Sequence, residues 1–151
     1  MRTVGINVAA DTAYLSVVDD GELLEAEPYL LRLPRGLDGA RALLGLRDDV
    51  AKVLTTHGVN RLRVLDAEAN SNGSYASLKD RLSIETTFML AAAEHDIDAG
   101  RLTRAQVRSI LSLPREGALK THAAAVCSPS GPYWSGKRDI AAMAAIAAGR
   151  E

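Results

Sequence analysis

At 151 residues, 47% hydrophobic and 25% charged, the chain has the make-up of one ordinary globular domain, predicted to run over 1–151 and to bury a sizeable core. Its 18 Lys and Arg against 19 Asp and Glu leave a formal net charge of −1, which counts against a strong non-specific nucleic-acid binder but allows a local basic patch. No apolar run approaches the roughly 20 residues of a membrane span, no leader pattern precedes the first strand, and His57, His95 and His122 with the single Cys127 make no zinc pattern. A lone cysteine suits a reducing, cytoplasmic setting, which is the expected location.

The first element predicted is a short apolar strand, Val4-Gly5-Ile6-Asn7-Val8, followed through Ala9-Ala10-Asp11-Thr12 by a second, Tyr14-Leu15-Ser16-Val17-Val18. Asn7 stands out, because a polar side chain in an apolar strand is costly to bury unless it is paired or bound. Asp19-Asp20-Gly21 is a hairpin turn signal, and Glu22 to Leu33 reads as a third extended segment with Pro28 and Pro34 as breakers. From Asp38 to His57 the period becomes helical: Leu43, Leu46, Val50, Val53 and Leu54 recur among charged residues, and Gly58 closes the helix.

Arg61 to Asp66 follows as a strand, expected to lie parallel to the existing sheet because a helix leads into it. The polar run Asp66 to Ser74 offers Ser71, Asn72 and Ser74 as caps for a long helix beginning near Tyr75. That helix is predicted to bury a stripe of Leu78, Leu82, Glu85, Met89 and Ala92. Glu85 is read as a stripe-edge residue reaching solvent, or else as facing a polar site at the sheet edge. A fifth strand is expected near Asp96–Gly100, then a helix capped by Thr103, a weaker helical segment from Arg115 to Val126, and a loop Ser128-Pro129-Ser130-Gly131-Pro132. An alanine-rich helix from Asp139 to Gly149, small on all sides, suits tight packing on a sheet.

Five stretches carry a resemblance. Val4-Gly5-Ile6-Asn7, Val64-Leu65-Asp66, Ala76-Ser77-Leu78-Lys79, Thr103-Arg104-Ala105-Gln106-Val107-Arg108 and Asp139-Ile140-Ala141-Ala142-Met143-Ala144 fall in the order, and resemble the motifs, of the RuvC-type Holliday-junction resolvases. The resemblance implies an α/β, RNase H-like fold: a mixed five-stranded sheet, three antiparallel strands and then parallel ones, flanked by helices. In that family four carboxylates from the first strand, the fourth strand and the last helix hold two divalent metals, Mg²⁺ or Mn²⁺, at the scissile phosphate. Carried over, the four positions are Asn7, Asp66, Asp139 and Ala142, so two of the four acids are missing. Asp11, Glu68 and Glu85 are the candidate substitutes. Read without the resemblance, Asp66 is a turn residue and Asp139 complements a helix dipole.

Arg101, Arg104 and Arg108, with Arg115, Lys120, Lys137 and Arg138 further on, make the C-terminal third locally basic, and Tyr133 and Trp134 beside Lys137 suit stacking on an unpaired base, Trp134 alternatively folding onto the core. The expectation is a RuvC-like domain with a degraded metal site that binds DNA or RNA, or serves as a subunit of a larger complex. The rivals are an active metal-dependent nuclease using Asp66, Asp139 and a substitute acid, and a structural or protein-interaction module without a nucleic-acid role, expected to be a homodimer through its long second helix; a homodimer or larger complex is the expected assembly.

Overall fold

The computed structural model describes residues 1–67 and 73–151. Strands β1 (Arg2–Ala9) and β2 (Thr12–Asp19) form the predicted hairpin, with Asn7 opposite Tyr14 and Gly5 opposite Ser16. Asp20 and Gly21 both take positive φ at the next turn, as the Asp-Gly signal requires. The third extended segment is a correction: it is two short strands, β3 (Glu22–Leu24) and β4 (Leu30–Arg32), both antiparallel to β2. Pro28 lies in the break, where a residue without an N–H cannot continue the ladder. The Tyr29 carbonyl still accepts from the Leu15 amide at 3.0 Å, so the segment stays against β2. Five predicted strands are thereby built as six.

Helix α1 (Gly39–Thr56) is capped by Asp38, and β5 (Arg61–Leu65) then pairs parallel with β1. Helix α2 (Tyr75–Glu94), capped by Ser74, leads to β6 (Asp98–Leu102), parallel to β5. Helix α3 (Arg104–Ile110) starts with a full capping box from Thr103 and Gln106. The predicted 115–126 helix is corrected to a 3-10 segment over Leu119–Ala125, and α4 spans Asp139–Gly149 as expected. Sheet order is β3-β2-β1-β5-β6, with β4 also on β2.

Alternation along β1 sorts the two sides of the sheet. Val4, Ile6 and Val8 join Leu62 and Val64 in a core closed by Leu46 and Val50 of α1 and by Ile84, Phe88 and Ala91 of α2. Thr3, Gly5 and Asn7 face the other way, onto α4. The Thr3 hydroxyl donates to the Ala145 carbonyl at 2.8 Å, and a β-carbon at Gly5 would come within 1.9 Å of the Ala141 carbonyl oxygen. The alanines of α4 and the glycine of β1 thus answer one another: each is small because the other is close. The stripe predicted for α2 is also corrected. Leu78 and Leu82 are exposed, and the buried residues Ile84, Glu85, Thr87, Phe88, Ala91 and Ala92 all lie in the C-terminal part of the helix. The first turns of α2 have no core to face.

Candidate functional site

The carboxyl ends of β1, β5 and β6 meet at one edge of the sheet, the edge where open α/β sheets bind ligands. Asn7, 3% exposed, sits there on the α4 side, and its Nδ2 donates to the Lys137 carbonyl at 3.1 Å. Its amide ties β1 to the turn that opens α4. Asp139 closes the same turn: one carboxylate oxygen accepts from the Gly136 N–H at 2.9 Å and the other from the Ile140 N–H at 2.7 Å. A buried carboxylate at a helix N-terminus is well placed against the dipole, and here both of its oxygens are engaged by backbone. Ala142, one turn further along, is fully buried.

A second charged group lies on the α2 side. Glu85 is 2% exposed, which overturns the expectation that its carboxylate reaches solvent. One of its oxygens accepts from Arg81 Nε at 2.8 Å and the other from Arg101 Nη1. Arg101 also reaches Asp66 at 3.3 Å, and Arg81 donates to the Leu65 carbonyl at 3.3 Å. The Glu85 carboxylate, joined by Asp66, holds the Arg101 guanidinium above its ordinary pKa. Asp66 and Asp139 therefore sit at the same sheet edge but are bound into different helices, Asp66 to the α2 side through Arg101 and Asp139 to its own turn.

Between these groups opens a cleft of about 430 Å³. Its walls include Asn7, Val8 and Ala9 from β1, Arg81 from α2, Arg104 from α3, Leu119 and Lys120 from the 3-10 segment, and Gly136 and Ile140 at the start of α4. Three cations line it, and no carboxylate among the described residues does. Arg81 is not among the sequence candidates. Its i,i+4 spacing to Glu85 was the available signal.

The remaining sequence candidates fall into clear classes. Lys120 and Arg104 line the cleft. Arg108 instead closes the loop after α3, donating to the carbonyls of Pro114 (2.6 Å), Glu116 (3.3 Å) and Gly117. Arg138 is 1% exposed and braces the core, a correction to its reading as a binding residue. Burial pushes its guanidinium below the ordinary value, and carbonyl partners and the Tyr29 ring offset that loss. Trp134 is half-buried with its ring 5.7 Å from that guanidinium, nearer the inward reading than free stacking. Lys137 is exposed. Asp11 is exposed at the β1–β2 turn and accepts from the Thr12 hydroxyl, outside the cleft lining. Glu68 lies outside the described residues.

Two divalent cations need several carboxylate oxygens with open lone pairs turned to one space. Among the described residues no three His, Cys, Asp or Glu side chains gather to hold an ion. Both Asp139 oxygens accept backbone N–H bonds and both Glu85 oxygens meet guanidiniums, while Asp66 meets Arg101 through one oxygen only, so as arranged the described side chains turn few carboxylate oxygens towards a metal pair. Side-chain cations around an open space fit an anion instead.

Sheet order, crossovers and flanking helices define an RNase H-like fold, in its RuvC-like form. The chain is similar to RuvC of Thermus thermophilus in complex with a Holliday junction substrate, with a TM-score of 0.72 at 15% identity over 97% of this chain and 91% of that one. A second structure of Thermus thermophilus RuvC gives 0.73 at 16% identity, covering 97% and 92%. No protein-family model and no curated protein matches the chain. No helix of the described residues is long and apolar enough to cross a membrane.

Proposed function

We propose that this chain binds structured nucleic acid by seating a backbone phosphate in the cleft beside Asn7, with Arg81, Arg104 and Lys120 supplying the charge that metal ions supply in two-metal nucleases. The observation that carries the reading is the cleft lining: three cations, and no carboxylate among the described residues. The RuvC-like fold supports it, since one similar protein is seen in complex with a Holliday junction substrate. On this reading the domain is non-catalytic, or a subunit that recognises a branch for a partner. The near-zero net charge then makes binding local and structure-dependent rather than a general attraction to polyanions.

The test is fluorescence anisotropy with four-way-junction, duplex and single-stranded DNA and with RNA. Binding is expected to weaken with salt along a shallow slope corresponding to about two to three released counterions. Lys120→Glu places a negative charge in the cleft on an exposed side chain. It is expected to lower affinity about tenfold or more and to flatten the slope by about one, with folding unchanged. No binding of any of these substrates at low salt would reject the reading.

We propose further that two copies associate through α2. Tyr75, Leu78, Leu82 and Leu90 are all exposed on that helix, with Tyr75 81% accessible, and at helical spacing they form an apolar face that the chain itself does not cover. Sedimentation analysis is expected to show a dimer that Leu78→Glu with Leu82→Glu converts to a folded monomer. A wild-type chain that stays monomeric at micromolar concentration contradicts the association.

A further inference from the structure

The segment leading into α4 combines an uncommon backbone conformation with an uncommon burial. Tyr133 has φ +56° and ψ +40°, left-handed values that a β-carbon disfavours by roughly 1–2 kcal/mol and that chains usually give to glycine. Gly131 and Gly136, on either side, also take positive φ. The conformation is held from beneath. The buried Arg138 side chain donates to the carbonyls of Ser130 at 2.6 Å, Pro132 at 3.1 Å and Leu15 at 3.0 Å, and its guanidinium stacks 4.3 Å from the Tyr29 ring centroid. The Arg138 amide bonds the Tyr133 carbonyl at 3.0 Å, the Ser16 hydroxyl holds the Arg138 carbonyl at 2.8 Å, and Asn7 holds that of Lys137.

This bracing does not bury the tyrosine. Tyr133 remains 49% exposed, tilted at 42° with its centroid 6.2 Å from that of Tyr14, the cross-strand neighbour of Asn7. The Lys137 ammonium stands 5.6 Å from the Tyr14 ring and 6.0 Å from the Tyr133 ring. Gly136, adjacent to Lys137, is itself part of the cleft wall. An arginine has been taken out of water and a tyrosine placed in a disfavoured conformation, and the result is an aromatic ring and a cation held at the rim of a cationic cleft. Ala10, Asp20, Asp96 and Ser112 take similar φ values, so it is the exposed ring held beside Lys137, and not the backbone conformation alone, that points to use.

We infer that Tyr133, with Lys137 beside it, is a stacking platform for a base left unpaired next to the phosphate held in the cleft. The inference rests on the proposed nucleic-acid function and deepens it, since it names the unpaired nucleotide as the feature recognised. Every base offers a π-face to an aromatic ring, so the platform reads the absence of pairing and not the sequence. Lys137 adds attraction to the neighbouring phosphate, and the half-exposed Tyr133 ring offers the stacking surface.

The experiment compares the full chain with its Tyr133→Gly and Tyr133→Phe variants on three oligonucleotides: a paired duplex, the same duplex with one unpaired 2-aminopurine, and that duplex with an abasic residue at the bulge. Glycine suits the left-handed conformation, so Tyr133→Gly is expected to keep or raise the melting temperature while lowering affinity for the bulged duplex about tenfold, the loss of one base–aromatic stack. Affinity for the paired and abasic duplexes is expected to stay within about twofold. Tyr133→Phe retains the preference, and 2-aminopurine fluorescence is quenched by wild type and by Tyr133→Phe only. Equal affinities of wild type and Tyr133→Gly for the bulged duplex, or a marked loss of stability in Tyr133→Gly, would overturn the platform while leaving the cleft reading intact. Failure of wild type to bind any of the three would overturn the cleft reading, and the platform with it.

Discussion

Replacing Gly5 with alanine is expected to destabilise the protein on the order of 4 kcal/mol, at the upper end of what a single added methyl does and a large part of the stability of a domain this size. The added β-carbon would stand 1.9 Å from the Ala141 carbonyl oxygen and 2.7 Å from the Ala145 backbone nitrogen. Both are backbone atoms, so no side-chain rotation relieves the contact, and α4 would have to lift off the sheet as a whole. Lifting it exposes a helix that is buried from Asp139 to Ala148 and stretches the Thr3, Asn7 and Ser16 bonds that tie it down. Denaturant unfolding measures the loss directly. A variant with a wild-type midpoint would show that β1 and α4 are not in the close register described.

The second large effect concerns Glu85, and its two consequences have opposite signs. Glu85→Ala removes the carboxylate that Arg81 and Arg101 share and is expected to cost about 3 kcal/mol. That is the low end for breaking a buried charge pair, because both arginines retain a route to water. Combining Glu85→Leu with Arg101→Met, which removes charge from both sides, is expected to recover part of the loss. Binding should move the other way. With Glu85 gone, Arg81 keeps its place in the cleft wall with more of its charge available, so Glu85→Ala is expected to bind DNA several-fold more tightly at low salt. Unfolding curves and anisotropy on the same preparation give both numbers. Weaker binding by a folded Glu85→Ala would indicate that the carboxylate itself serves the site, as a ligand or a positioning group.

Much of the architecture is legible in local pattern. Alternation and the Asp-Gly turn set out β1 and β2, helical spacing sets out α1, and Thr103 with Gln106 announces α3. Where reading failed, the deciding partner lies far along the chain. The break between β3 and β4 depends on how β2 offers its two ends, and the stripe on α2 shifts because its first turns overhang the sheet. The candidate site divides in the same way. Asn7 was visible as a polar residue in need of a partner, but its partner is a carbonyl 130 residues later. Glu85 looked solvent-bound because only Arg81 is local; Arg101, 16 residues on, completes the pair that buries it. Arg138, next to Lys137 in sequence, looked like a second surface cation, and nothing short of the folded loop shows that one of the two points inward.

In the proposed function side-chain cations, and not metal ions, hold the phosphate in the cleft beside Asn7. The most direct measurement is equilibrium binding of a labelled four-way junction in millimolar Mg²⁺ or Mn²⁺ and again in excess EDTA at matched ionic strength, with the strands recovered and sized afterwards. The expected result is an affinity unchanged within about twofold and uncut strands. Binding that disappears in EDTA, or metal-dependent cleavage that Asp139→Asn or Asp66→Asn abolishes, would contradict it.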